Sequence, residues 1–285
     1  MSKTIFITGV SSGIGFDAAV TLVRQGYKVI GTVRKTGDAD RIKSLLGDNF
    51  VPLVFDVTDR EACQRQISSV FHLLEADGLF ALINNAGMTI AGPLEILPDD
   101  EFESVMDVNV FAVRRITNLL LPYLGTNSRY QPGKLINISS VSGLFNSPFN
   151  GSYCISKHAL ESMTDIYRRE LSMFGISVTA IEPGPIKSEI WAKNKGTLAR
   201  FADSAYGQIL SKADKMIENA EKSAFATRVI SDLIINILQN PNPDTRYLVH
   251  RKKWMFRLLS HWLPDRMADR LVQKAMSQGD NYRPV

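Results

Sequence analysis

Cysteine is scarce: only Cys63 and Cys154 occur among 285 residues. Two such distant residues make neither a disulfide framework nor a metal-binding spacing, and this usage fits a reducing compartment. The four histidines, His72, His158, His250 and His261, have no ligand spacing either, so no metal is expected. No run of about 18 uninterrupted apolar residues exists, which excludes a membrane-spanning helix. Net charge is also small. The 33 basic and 29 acidic residues leave +4, too mild to point to nucleic acid as a partner. A buried-strand pattern begins almost at once, at Thr4-Ile5-Phe6-Ile7, so no signal peptide is expected and the cytoplasm is the expected location.

Short apolar runs do recur, at 4–8, 28–33, 51–56, 79–84, 134–139, 176–182 and 247–250. Several are apolar at both alternating positions, as strands buried on two faces require. Helical patterns at 13–25, 60–76, 99–124, 152–174 and 224–239 separate most of them. Such βα alternation predicts an α/β fold: a doubly wound, parallel, seven-stranded sheet with helices on both faces and ligands at the carboxyl ends of its strands. Residues 1–250 are read as one dinucleotide-binding and catalytic domain. Within it, 188–222 is a polar insert carrying Trp191, Phe201, Tyr206 and Ile209, expected to form a substrate lid. Residues 251–285 form a helical extension. Its stripe of Trp254, Met255, Leu258, Leu259 and Trp262 lies near Arg251, Lys252, Lys253 and Arg257. Packing on the domain or closing the substrate pocket is the first reading of this stripe, a subunit contact the second, and a basic membrane-surface helix the last.

Gly9, Gly13 and Gly15 follow the first strand and open the first helix, with Ser11, Ser12 and Ile14 between them. Glycine-rich turns also serve packing alone. The strand-turn-helix context near the N-terminus instead points to a pyrophosphate held on free N–H groups, the mark of a Rossmann dinucleotide site. The spacing resembles the one-domain branch of the short-chain dehydrogenase/reductase family. The larger sugar-nucleotide branch has glycine where Ser12 stands.

That resemblance implies the rest of the cofactor cradle. Asp56 and Val57 would contact adenine, although Asp56 also reads as part of a helix N-cap region beside Asp59. Asn85, Ala86 and Gly87 belong to an N-N-A-G motif on the adenosine ribose side. Pro183, Gly184 and Ile186 would border the nicotinamide. Ser188 stands near a threonine position and keeps the hydroxyl. Asn109, Ser140, Tyr153 and Lys157 match the family's catalytic tetrad in order and spacing. Ser139 and Ser142 compete with Ser140, and the thirteen-residue family spacing to Tyr153 selects Ser140.

The chemistry explains these residue types. A tyrosine hydroxyl can protonate a carbonyl oxygen, but a free pKa of about 10 makes it a poor base at neutral pH. A nearby ammonium, Lys157, stabilises the phenolate. Ser140 would steady charge on the substrate oxygen, and Asn109 would hold a water that relays protons from Lys157. Tyr153 and Lys157 would also touch the cofactor.

The stretches 148–161 and 181–187 resemble the hydroxysteroid and retinol dehydrogenase group. This implies interconversion of an alcohol with a ketone or aldehyde on an apolar, steroid- or retinoid-like small molecule. The alternatives are a catalytically weak cofactor-binding sensor and a sugar-nucleotide-modifying enzyme. NADP(H) is expected over NAD(H), which stays open. The second strand ends at Val33 without the acidic residue of NAD-preferring relatives, and Arg34 follows, suited to a 2′-phosphate. Membrane contact is not expected. The resemblance further implies a homodimer or homotetramer, packed through the helices holding Lys157 and Asn109.

Overall fold

The computed structural model describes residues 3–187, 196–210, 221–254 and 263–277. Its strands are β1 (Thr4–Ile7), β2 (Lys28–Val33), β3 (Phe50–Val54), β4 (Ala81–Asn84), β5 (Lys134–Ile138), β6 (Ser177–Pro183) and β7 (Arg246–Val249). They form one sheet in the order β3-β2-β1-β4-β5-β6-β7, and every pairing is parallel. Among the described residues, the α-helices of eight residues or more are α1 (Gly13–Arg24), α2 (Thr36–Leu46), α3 (Arg60–Ser68), α4 (Asp99–Met106), α5 (Ala112–Leu121), α6 (Gly151–Leu171), α7 (Arg228–Gln239) and α8 (Asp265–Ser277).

All four residues of β1 are buried, as a central strand covered on both faces must be. Alternation along it divides the core. Ile5 and Ile7 join one apolar cluster with Ile230, Ile234 and Ile237 of α7. Phe6 joins the opposite cluster with Ile67 of α3 and Ile116 and Leu120 of α5. Each fully buried side chain of this size contributes roughly 1.5–3 kcal/mol.

Strand order reverses between β1 and β4. The chain runs β1-β2-β3 toward one edge and then returns to pair β4 with β1. A crevice at the carboxyl ends of these two strands is where such a sheet takes a ligand.

All seven sequence-predicted strands are present, with ends shifted by one or two residues. The helices differ more. α2 was not foreseen, because only Ala39 and Ile42 of its eleven residues are buried. The long helix expected over 99–124 is broken by two π turns, Asp107–Phe111 and Pro122–Thr126. Pro122 lacks the N–H that an uninterrupted α-helix would use. The helix expected over 60–76 ends at Ser68, where Ser69 Oγ turns back to the Gln66 carbonyl at 2.7 Å.

Two segments lie apart from this core. Residues 196–210 bring Leu198, Phe201 and Leu210 onto Leu97 in a third small cluster, with Ile90, Phe102, Phe149 and Tyr206 packed against it. α8 follows β7, and no residue of it belongs to the three buried clusters.

Candidate active site

Thr8 Oγ1 joins the two strands at the reversal. It accepts hydrogen bonds from the backbone N–H groups of Asn85 and Ala86, both at 2.9 Å. Asn85 answers with its side chain, whose Nδ2 donates to the carbonyls of Thr8 and Gly9 at 2.9 Å each. Gly9 N–H donates to Thr32 Oγ1 at 2.9 Å. Gly9 has φ +71°, and a Cβ on Gly15 would lie 2.2 Å from the Gly9 carbonyl oxygen and 2.4 Å from Asn85 Nδ2. Only glycine fits either position. The turn therefore brings bare backbone to the start of α1, whose first N–H groups suit a phosphate. This geometry fits a dinucleotide. Ile14 packs into the core behind it.

Beside the turn is a cleft of about 550 Å³ bordered by Ser11, Ser12, Gly13, Arg34, Lys35 and Arg41. Arg41 Nη2 donates to the Ser11 carbonyl at 2.7 Å and to Asp38 Oδ1 at 3.2 Å. Arg34 thus stands where the sequence put a phosphate-reading cation. Arg41 is a further cation in the same cleft that sequence reasoning missed. It comes from α2, and without that helix nothing linked it to Arg34.

The remaining cradle residues sit at the same sheet end. Asp56 Oδ1 accepts from the N–H and Oγ1 of Thr58, at 2.9 and 2.7 Å, so part of its carboxylate closes a local turn. The α3 cap is instead Asp59, which accepts from Ala62 N–H at 2.9 Å. Val57 is buried, and its carbonyl accepts from Arg115 at 2.9 Å. Gly184 follows β6 and donates to the Val249 carbonyl at 2.9 Å, while Ile186 bridges to Phe225. Ser188 lies outside the described residues.

Ser140 caps the 3-10 turn Val141–Gly143 after β5, its Oγ accepting from Ser142 N–H at 3.1 Å. The Ser140 hydroxyl lies near enough to the Tyr153 phenol to favour its ionised form. Ser139, its neighbour, points elsewhere: its buried Oγ has no hydrogen-bond partner among the described residues. Tyr153 and Lys157 lie one turn apart on α6, with the Lys157 ammonium 5.6 Å from the Tyr153 ring centroid. Burial pushes the Tyr153 phenol up, and the Ser140 hydroxyl pulls against it. Lys157 is only 4% exposed, and its Nζ donates to the Ile138 carbonyl at 2.8 Å. Burial brings its pKa down to about 8, against the pull of the Glu161 carboxylate.

Asn109 sits in the first π turn, a distortion often found at functional sites. It is wholly buried. Its Oδ1 accepts from Met88 N–H at 2.9 Å, and its Nδ2 donates to the Met88 carbonyl at 2.8 Å and to Ser156 Oγ at 2.9 Å. Both amide hydrogens are spent, leaving one Oδ1 lone pair for a water. Ser156 was missed by the sequence reading, although it stands directly before Lys157. It donates in turn to the Tyr153 carbonyl at 2.8 Å, so Asn109 ties the loop after Gly87 to the helix bearing Tyr153.

A buried polar chain runs behind the site. Asn84 Nδ2 donates to Thr117 Oγ1 at 3.0 Å and to Asn137 Oδ1 at 2.8 Å, and Asn137 Nδ2 donates to Thr164 Oγ1 at 2.8 Å. It links α5, β4, β5 and α6 through the middle of the molecule.

Comparison with known proteins shows the family. The sequence model of the family described as short chain dehydrogenase matches residues 3–198. An NADPH-dependent 3-dehydrocapnine reductase of Ornithobacterium rhinotracheale is 37% identical, over 95% of this chain and 96% of its own. Retinol dehydrogenase 16 of Homo sapiens is 31% identical, over 95% of this chain and 87% of its own. A crystal structure of a short-chain dehydrogenase from Streptomyces avermitilis superposes with a TM-score of 0.78 at 25% identity, covering 99% of both chains. No helix among the described residues is long and apolar enough to cross a membrane.

Proposed function

The chain belongs to the short-chain dehydrogenase family and is an oxidoreductase acting on CH–OH groups; from that premise we propose that it interconverts an apolar alcohol with its ketone or aldehyde, using NADP(H) in preference to NAD(H). The observation that carries this is Ser140, Tyr153 and Lys157 gathered at the carboxyl end of β5, beside the glycine turn. When bound, the nicotinamide supplies or accepts the hydride. Gly9, Gly13 and Gly15 would hold the pyrophosphate against the start of α1. Asn85, Ala86 and Gly87 would border the ribose, and Pro183, Gly184 and Ile186 would border the nicotinamide.

In the reductive direction Tyr153 Oη gives its proton to the carbonyl oxygen, while Ser140 Oγ–H donates to that oxygen as charge gathers on it. Lys157 then stabilises the phenolate by its charge. In the oxidative direction the same phenolate takes the hydroxyl proton. Asn109 acts by position, through Ser156 and the Tyr153 carbonyl.

Arg34, Lys35 and Arg41 support NADP(H), because a 2′-phosphate needs charge-assisted donors where other enzymes place a carboxylate. The relative described as NADPH-dependent agrees with this. The cluster of Leu97, Leu198, Phe201 and Leu210 supports an apolar pocket roofed by residues 196–210, the rest of the lid read from the sequence at 188–222 lying largely outside the described residues. Exposed Phe111, Ile155 and Ile166, on the segments bearing Asn109 and Lys157, support a homodimer or homotetramer. A cytoplasmic location accompanies this reading.

The test follows reduced-nicotinamide absorbance over a panel of steroids, retinoids and long-chain ketones. At least one apolar substrate should turn over. Tyr153→Phe should fold, keep its cofactor affinity and lose at least about a hundredfold in kcat, the scale of a removed acid/base. Near-normal turnover in that variant would sink the assignment.

A further inference from the structure

The net positive charge of this protein comes from its last 35 residues. Residues 251–285 contain eight basic and three acidic residues, a net +5, whereas the whole chain carries +4. Residues 1–250 are therefore net −1. Three large apolar side chains among the described residues of this tail are also open. Trp254 is 71% exposed and directly follows exposed Arg251, Lys252 and Lys253. On α8, Met267 is 51% and Leu271 52% exposed. They stand four residues apart, on one face. Arg266, Arg270 and Lys274, all exposed, form the adjoining row at the same spacing. Ala268, Val272 and Met276, also four residues apart, are half-buried, so α8 covers one apolar row and leaves the Met267 and Leu271 row in water, although helices owe most of their stability to apolar burial.

We propose that the tail is a membrane-surface anchor for an anionic bilayer, with Trp254, Met267 and Leu271 entering the boundary between headgroups and acyl chains and the neighbouring lysines and arginines meeting the lipid phosphates. Charge selects this occupant. A second copy of the tail, also at +5, would be repelled, whereas an anionic surface attracts juxtaposed lysine and arginine. Indole rings favour that interfacial depth, and an apolar row flanked by cations is the pattern of a helix lying in the interface plane.

The anchor is rooted at the working end of the sheet. β7 is parallel to the other strands, so the tail leaves from the same end as Gly9, Asn85 and Ser140. A Cβ on Gly184 would lie 2.3 Å from His250 Cδ2. The Arg251 guanidinium stands 5.4 Å over the Phe225 ring, and Phe225 bridges to Ile186. The tail thus starts beside both roots of the segment read as a lid. On that reading, the anchor turns the mouth of an apolar pocket toward the layer where apolar substrates dissolve.

Co-sedimentation of the full-length protein with vesicles tests the anchor independently of catalysis. Vesicles of phosphatidylcholine with about one-third phosphatidylglycerol should bind at least about tenfold more tightly than pure phosphatidylcholine, and about half-molar salt should remove the difference. Met267→Ser with Leu271→Ser, and separately Lys252→Gln with Lys253→Gln, should each weaken anionic binding at least about fivefold. These side chains are exposed, so the thermal melt and cofactor binding should stay unchanged. Wild type left in the supernatant with anionic vesicles would overturn the proposal. Binding that both double variants retain in full would also overturn it. So would a wild-type oligomer without vesicle binding that Met267→Ser with Leu271→Ser dissociates, since that assigns the face to a second copy.

Discussion

Lys157 is costly where it stands. A buried ammonium with one carbonyl partner loses much of its hydration, and its pKa falls from 10.5 to about 8. The sign follows from the unfolded chain holding its proton more tightly. Below about pH 8 the folded protein carries the full cost of the charge, on the order of 3 kcal/mol. Between about pH 8 and 10.5 the lysine is neutral when folded and charged when unfolded, so stability from this group rises with pH. Lys157→Met should therefore melt no lower than wild type at pH 7 without cofactor, and the gap should close toward pH 10. Its turnover should fall at least about a hundredfold. A variant that melts well below wild type at pH 7 would show that the ammonium stabilises this site. Tyr153, Lys157, Ser140 and Asn109 could be singled out because the family resemblance matches their order and spacing along the chain. Ser156 and Thr8 were not, since each matters through a partner 47 or 77 residues away.

Among the elements, α2 hid the most function. Its eleven residues bury only Ala39 and Ile42, a stripe too thin to announce a helix, yet it carries Arg41 into the cleft beside Arg34. Arg34→Ala and Arg41→Ala should each weaken NADP(H) binding about tenfold, the loss of one charge-assisted contact, and change NAD(H) binding less than about twofold. Dissociation constants for both cofactors decide it, and equal losses for the two would refute a 2′-phosphate site. The 196–210 segment makes a different demand. Arg200 grips both carboxylate oxygens of Glu101 at 2.5 Å, and this pairing holds the Glu101 pKa below its usual range. A lowered carboxylate pKa gives stability present at neutral pH and lost as pH falls through it. Arg200→Gln should speed proteolysis within 196–210 and raise KM for apolar substrates more than it lowers kcat. Unchanged protease sensitivity would show that the pair does not hold the segment. The ion pair spans 99 residues, a separation at which nothing in the sequence matched Arg200 to Glu101.

At the scale of the whole molecule, the alternation of apolar runs was enough to read the sheet, because strands buried on both faces leave little room for polar residues. Strand order needed the tertiary structure. The outer faces of α5 and α6 border a cleft of about 520 Å³ that includes Arg114, Met163 and Ile166, and Ile166 stays exposed. Ile166→Glu should turn a dimer or tetramer into monomers by light scattering, with the melt of the monomer intact; a wild type that is already monomeric would refute that interface. The buried chain from Thr117 through Asn84 and Asn137 to Thr164 has a further consequence, for fidelity in folding. Asn84 and Asn137 are register partners in β4 and β5. A slip of one residue turns each amide to the wrong face and strands several buried polar groups, at roughly 1–3 kcal/mol each. The chain works as a checksum on strand alignment: β4 delivers Asn85, Ala86 and Gly87, β5 delivers Ser140, and only the alignment that makes these three amide hydrogen bonds sets the proposed cofactor cradle and Ser140 side by side.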